Sequence, residues 1–215
     1  MSLALLILFP LLLANVMLAA LAKLGLNPGG SLLVVFGILL GGMINIPVKR
    51  IPRQSDMPTQ PIGIFGLERM FPELVRRRRY TLIAVNVGGC IVPSVLVVYE
   101  FIRIARFHPE IIPPTVVAGA INIAVCYFLA KPVPHVGIAL PALVPALVAA
   151  ASALVFAPEL APVVAFISGV LGPLVGADLL RISNISRIDT GMASIGGAGT
   201  FDGIVISGLL ATLLA

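Results

Sequence analysis

Charge is what this sequence has least of. Of its 215 residues, 14 are Lys or Arg and 9 are Asp or Glu, together 11%, while 59% are hydrophobic. Soluble domains run near about 25% charged and about 45–50% apolar. A soluble fold of this length could not coat itself with so few charges, so its apolar surface must face lipid. The mean hydropathy of +1.12 agrees. A soluble enzyme, a disordered tail and a nucleic-acid partner are thereby excluded, even at an isoelectric point of 9.8, because basic excess in a membrane protein is first a topology signal. Cysteine is also scarce. Cys90 and Cys126 both lie in apolar runs, which argues against a disulfide framework or a zinc site. His108 and His135 have no ligand-spaced partners, and the chain contains no nucleophile elbow, P-loop, HExxH or CxxC. No metal and no cofactor is implied.

What is present is a series of apolar runs. A spanning helix needs about 20 mostly apolar residues, and seven candidates are found at 2–22, 31–46, 80–102, 114–130, 138–157, 161–180 and 200–215. The expected fold is all-α: a single transmembrane domain over 1–215 with about seven helices. The first run lacks a positive leader segment and is read as a membrane helix. Tyr80 and Tyr99 lie 19 residues apart, about 28 Å along a helix, and are expected to mark the two interfaces of the third span. Pro93, Pro141, Pro145 and Pro173 fall inside spans and are expected to kink them.

With seven spans, Lys49, Arg50, Arg53, Arg69, Arg76–Arg79, Lys131, Arg181 and Arg187 share one side, against Lys23, Arg103 and Arg106 on the other. The rich side should be cytoplasmic, with the N-terminus inside and the C-terminus outside an inner (plasma) membrane. Residues 47–79 form a basic cytoplasmic loop. Within it 62–75 suits a short interfacial helix, and Arg76, Arg77, Arg78 and Arg79 suit anionic headgroups, so the expected partners are the bilayer and its anionic lipids. A homo-oligomer held by small-residue seams is also open to the chain.

Charges inside spans are costly, about 2.5–3.5 kcal/mol at mid-helix, and mark function by default. Asp178 lies near the end of the sixth span and Asp202 near the start of the seventh, at similar depth on one side. Each also has a structural reading. Asp178 could pair with Arg181 three residues on, and Asp202 could cap the last helix. Glu100, beside Tyr99, is expected to snorkel to the interface. Asn15, Asn86 and Asn122 are nearer mid-span, where amides bond between helices or line a substrate path. Gly196, Gly197 and Gly199 form a glycine-rich turn that fits cation or proton chemistry with Asp202 better than anion binding. Small residues run along Ser168, Gly172 and Gly176, and again along Gly199, Gly203, Ser207 and Ala211. Asp178 sits about 200° around a regular helix from Gly176, so that seam and that carboxylate should face different neighbours.

Gly176-Ala177-Asp178-Leu179-Leu180 and the string from Ala193 to Gly203, ASIGGAGTFDG, resemble an uncharacterised family of bacterial and archaeal polytopic membrane proteins, a domain of unknown function. Asn45-Ile46-Pro47 and the run from Asn86 to Pro93 fit the same pattern. That resemblance implies an identity without an activity. A weaker one is to the GxGD intramembrane aspartyl proteases, which carry one aspartate on each of two adjacent helices. Here Thr200 and Phe201 separate Gly197-Ala198-Gly199 from Asp202, placing the carboxylate two positions late.

The leading expectation is a small transporter or permease-like protein with a substrate- or ion-binding site at Asp178, Asp202, Gly196, Gly197, Gly199 and Asn86. The first alternative is an intramembrane aspartyl protease with Asp178 and Asp202 catalytic. The second is a non-catalytic assembly subunit.

Overall fold

The structure is a computed structural model that describes residues 3–52, 80–133, 137–141, 143–182 and 192–215. Helix α1 (Leu3–Lys23) is followed by α2 (Pro28–Gly41), capped by the Asn27 side chain on the Gly30 amide. Strand β1 (Asn45–Pro52) and strand β2 (Tyr80–Asn86) come next. Helix α3 (Val87–Phe107) opens in a π turn, and α4 (Pro109–Leu129) opens in a 3-10 turn. Strands β3 (Lys131–Val133) and β4 (Gly137–Ala139) form a hairpin ahead of α5 (Leu143–Phe156). Helix α6 (Pro158–Leu179) ends in a π segment, Gly172–Leu179. Strand β5 (Met192–Ile195), a 3-10 turn (Gly199–Phe201) and α7 (Gly203–Leu214) complete the order.

Helix α6 is the axis of the packing. Every residue from Val163 to Val170 is buried, the all-round burial of a helix enclosed by other helices. By contrast α4 buries only Ile111, Thr115, Ala118, Gly119, Asn122 and Cys126, a stripe at helical spacing. The α6 seam lies under that stripe. A Cβ added at Gly172 would come 2.4 Å from Asn122 Nδ2, and one at Gly176 would come 2.3 Å from the Ile123 carbonyl. Asn122 also donates to the Ser168 carbonyl at 2.9 Å, the interhelical amide bond expected of it. Asn15 instead bonds back to Leu11 of its own helix.

Three helices, α3, α4 and α6, are long and apolar enough to cross a membrane, and Leu11–Lys23, Pro28–Gly41, Leu143–Phe156 and Gly203–Leu214 are shorter apolar helical stretches. The all-α expectation needs correcting: the fold is mostly helical but includes strands. β2 sits between β1, antiparallel to it, and β5, parallel to it. Three spans move as a result, the fifth because Gly137–Ala139 pairs as a strand and its helix begins at Leu143. Residues 45–52 pair as a strand, so the second helix ends at Gly41. Tyr80 lies on β2 and the third helix begins at Val87, so the tyrosine pair does not bracket a single helix. Seven β-compatible residues beside an Asn-Val-Gly-Gly break read as helix only because hydropathy alone does not separate the two forms. The interfacial segment 62–75 and Arg76–Arg79 lie outside the described residues.

One end of the bundle is closed by cations. Lys23 Nζ donates to the Leu213 carbonyl at 2.8 Å, and Arg103 Nη1 to that of Leu24 at 2.6 Å, each supplying a donor to a helix C-terminus. Glu100 does not snorkel. It is fully buried, with Oε2 2.9 Å from Arg103 Nη2. That contact is one of charge more than of hydrogen-bond geometry, since neither carboxylate oxygen has a hydrogen-bond donor.

Candidate functional site

At the other end the backbone is irregular, and glycine is the reason it can be. Gly41 and Gly42 finish α2, Gly88 and Gly89 form the π turn of α3, and Gly196 and Gly199 turn the chain between β5 and α7. A Cβ at Gly89 would lie 2.1 Å from the Gly196 carbonyl, and one at Gly88 would lie 2.1 Å from that of Ile38. Gly196 (φ 70°) and Gly199 (φ 58°) take left-handed backbone, which side chains other than glycine rarely adopt. Three backbone segments therefore cross at contact distance.

Asn86 lies buried inside this crossing. Its Oδ1 accepts from the Gly89 amide at 2.7 Å, and its Nδ2 donates to the Gly42 carbonyl at 2.8 Å and to Asn45 Oδ1 at 3.1 Å. Asn45 Oδ1 also accepts from Ser194 Oγ at 2.6 Å. The amide satisfies backbone groups that the sheet and helices leave open.

Beside the crossing is a cavity of about 400 Å³. The end of α6 contributes Pro173, Ala177 and Asp178, and the start of α7 contributes Asp202, Gly203 and Ile204. Strand β5 and its turn contribute Met192 to Ile195, Gly197 and Ala198, while Ile138 and Leu140 close it from the hairpin. Thus Asp178 and Asp202, 24 positions apart in sequence, line one cavity, and Gly197 lines it with them. Gly196 and Gly199 shape its wall through the turn.

Each carboxylate lies beside backbone amides. Asp202 Oδ1 accepts from Ile204 N at 3.0 Å and Oδ2 from Ala198 N at 3.4 Å, so Asp202 caps α7 as its structural reading anticipates. The Asp178 carboxylate lies near the Gly196 amide. It does not pair with Arg181, which turns away to the Tyr127 carbonyl, with Nε at 2.9 Å and its guanidinium 4.5 Å from the Tyr127 ring centre. Among the described residues no Lys, Arg or His lines the cavity. The two acids act on each other by charge, with no hydrogen bond joining them. The seam and the carboxylate of α6 do face different neighbours: Gly172 and Gly176 face α4, and Asp178 faces the cavity.

Ser194, Asn45 and the whole of β5 escaped attention as site components. Met192-Ala193-Ser194-Ile195, four residues ending at a Gly-Gly pair, is a legible short-strand signal. What it pairs with is not legible locally.

Among the described residues no group of three or more His, Cys, Asp and Glu is placed to hold a metal ion. Two carboxylates on neighbouring elements, in a cavity without a counter-cation, can take up a proton or a cation, or move protons to and from a bound water or carbonyl. No curated protein and no solved structure matches the chain. Residues 39–214 match the family described as "Protein of unknown function (DUF1614)", and the chain belongs to that family.

Proposed function

We propose that this chain is an intramembrane aspartyl hydrolase that cleaves peptide bonds with Asp178 and Asp202, held in an inner membrane with the aspartate end cytoplasmic. The observation that carries this reading is that both carboxylates, from different helices, line one cavity that also exposes strand β5. In the proposed step Asp202, held by two backbone amides, takes a proton from water. The water oxygen adds to the substrate carbonyl carbon, and Asp178 gives its proton to the carbonyl oxygen. Collapse of the tetrahedral species breaks the C–N bond as one of its hydroxyls returns a proton to Asp178, and the amine leaves with the proton Asp202 accepted, which restores both acids.

Transport is the second reading. It is favoured by the interrupted helices around the cavity, since irregular backbone at membrane depth is tolerated where it lines such a space. Against it, every lining residue comes from one end of the bundle. None comes from the Arg103–His108 or Leu160–Val163 region, where a separate small cavity lies.

The deciding experiment is cleavage of fluorogenic membrane peptides by the full chain in nanodiscs. Asp178→Asn and Asp202→Asn should each lower the rate by at least a hundredfold, and the double variant should be no worse. Absence of cleavage, together with Asp178-dependent cation or proton flux in proteoliposomes, would replace this reading with transport. Full activity in either single variant would remove both.

A further inference from the structure

Among the described residues two helices carry π segments, and each adjoins a proline. Val92 N–H donates to the Val87 carbonyl and Leu180 N–H to that of Val175, five residues back in both cases. Pro93 follows Gly89 by four residues, and Pro173 follows Gly169 by four. A proline in that place has no N–H for the carbonyl four residues back, and its ring collides with it, so the α register is closed there. Pro145 lies in the first turn of α5 and produces no π turn, because first-turn amides have no intrahelical partner to lose.

The π segment of α6 decides which residue meets α7. The two helices touch through Phe166, Gly169 and Val170. A Cβ at Gly169 would lie 2.9 Å from the Ser207 carbonyl, and one at Gly208 would lie 2.5 Å from Val170 and 3.3 Å from Phe166. In a regular helix that face recurs about every 3.6 residues and continues through Pro173 to Ala177, leaving Asp178 about 100° further round. A π turn takes in one more residue, so the face passes from Pro173 to Asp178. The structure has it there: Pro173 and Asp178 line the cavity with Asp202 and Gly203 of α7. Ala177 borders the same cavity but is buried, whereas Asp178 keeps part of its exposure.

We infer that Pro173 is a positioning residue for the paired-acid site: by closing the α register at the end of α6 it keeps one extra residue in the turn and presents Asp178, not Ala177, to Asp202. This rests on the reading of the two acids as one site and deepens it by naming what aims the first of them. On the opposite side Gly172 and Gly176 stay against Asn122, Ile123 and Cys126 of α4. The helix thus keeps its packing on one face while the π segment turns the carboxylate on the other. Pro93 works in parallel on α3, where the π turn lays Gly89 against the Gly196 carbonyl in the turn beside the cavity. π geometry is rare because the α form is preferred, so an N–H restored at position 173 lets the α register return.

The test uses the full chain in nanodiscs with Pro173→Ala or Pro173→Ser, each combined with Ala177→Cys or Asp178→Cys. Wild type, whose Cys90 and Cys126 are buried, gives the blank, and a charged methanethiosulfonate reagent reads access from the cavity. With Pro173 present, position 178 should react at least tenfold faster than position 177, and in the Pro173→Ala and Pro173→Ser chains the order should reverse. An unchanged order in both, or loss of the folded protein in both, would overturn the inference. Cleavage gives a second arm. Pro173→Ala should lower the rate at least thirtyfold, and moving the acid back one residue in that chain, Ala177→Asp with Asp178→Ala, should recover at least a third of the wild-type rate. The same swap with Pro173 present should leave no activity. A proline that merely stabilises the fold gives no such rescue, and its failure would remove Pro173 from the aiming of the acid. The two readings fail separately. Reversed labelling in a chain whose wild type cleaves nothing keeps the register and removes the hydrolase, whereas cleavage and labelling indifferent to Pro173→Ala keep the hydrolase and remove the register.

Discussion

The two ends of this molecule handle their carboxylates in opposite ways, Glu100 being buried and Asp178 and Asp202 half-buried. At one end Glu100, fully buried, lies 2.9 Å from Arg103, and Lys23 and Arg103 supply donors to helix C-termini. The helices there are joined through short 3-10 turns, and Glu100, Arg103 and Lys23 each meet a partner. At the other end Asp178 and Asp202 have backbone amides but no cation, and the nearest arginine along the chain, Arg181, is turned toward Tyr127. The backbone breaks into π turns, strands and left-handed glycines at that same end. A membrane protein tolerates uncompensated acids and irregular backbone only where a polar cavity receives them. The contrast therefore marks the candidate site without reference to any motif.

The largest expected effect sharpens this contrast through glycine. Gly25 and Gly196 both have positive φ, at the cation-capped end and the cavity end respectively. A Cβ at Gly25 would meet only the Arg103 guanidinium, at 3.5 Å, whereas one at Gly196 would lie 2.6 Å from the Gly89 backbone. Gly196→Ala should cost about 2–5 kcal/mol, backbone strain plus overpacking, against about 1–2 kcal/mol for Gly25→Ala. Thermal melts in detergent compare them directly. Equal losses would mean that the crossing is no tighter than an ordinary turn.

The carboxylates come next. Glu100→Gln leaves Arg103, about a quarter exposed, without its charge partner, and should destabilise by about 2–4 kcal/mol. Asp178→Asn leaves no cation unpaired and should change stability by less than about 1 kcal/mol. The reverse ranking in the same melts would show that Asp178 is a structural charge and Glu100 a dispensable one.

Two smaller effects divide Asp202 between its roles. Asp202→Ala removes the cap on Ile204 N and should cost about 1 kcal/mol, while asparagine, an equally good cap, should be near neutral. A stable but inactive Asp202→Asn protein then isolates the chemical role, and a marked loss of stability in that variant would assign the residue to the fold alone. Smallest of all, Ser194→Ala removes the 2.6 Å bond to Asn45 and should cost about 1 kcal/mol or less. Denaturant unfolding checks this, and a loss above about 2 kcal/mol would make Ser194 a main support of the sheet.

The sequence by itself determined the environment and the candidate chemistry. Eleven per cent charge in long apolar runs requires lipid, and Asp178 and Asp202 stand out because a carboxylate in such a run is costly wherever it lies. The cap at Asp202 and the interhelical amide at Asn122 were legible too, since both follow from local position. Only the tertiary structure decided that Tyr80–Asn86 is a strand, that Asn86 ties a backbone crossing, and that Glu100 meets Arg103 in the interior. It also decided that Arg181 leaves Asp178 for Tyr127 and that β5 and the two acids line one cavity. The physical reason is common to all of these. Hydropathy reports how apolar a segment is, whereas strand pairing and the partner of a buried polar group depend on residues far along the chain that folding brings within a few ångströms.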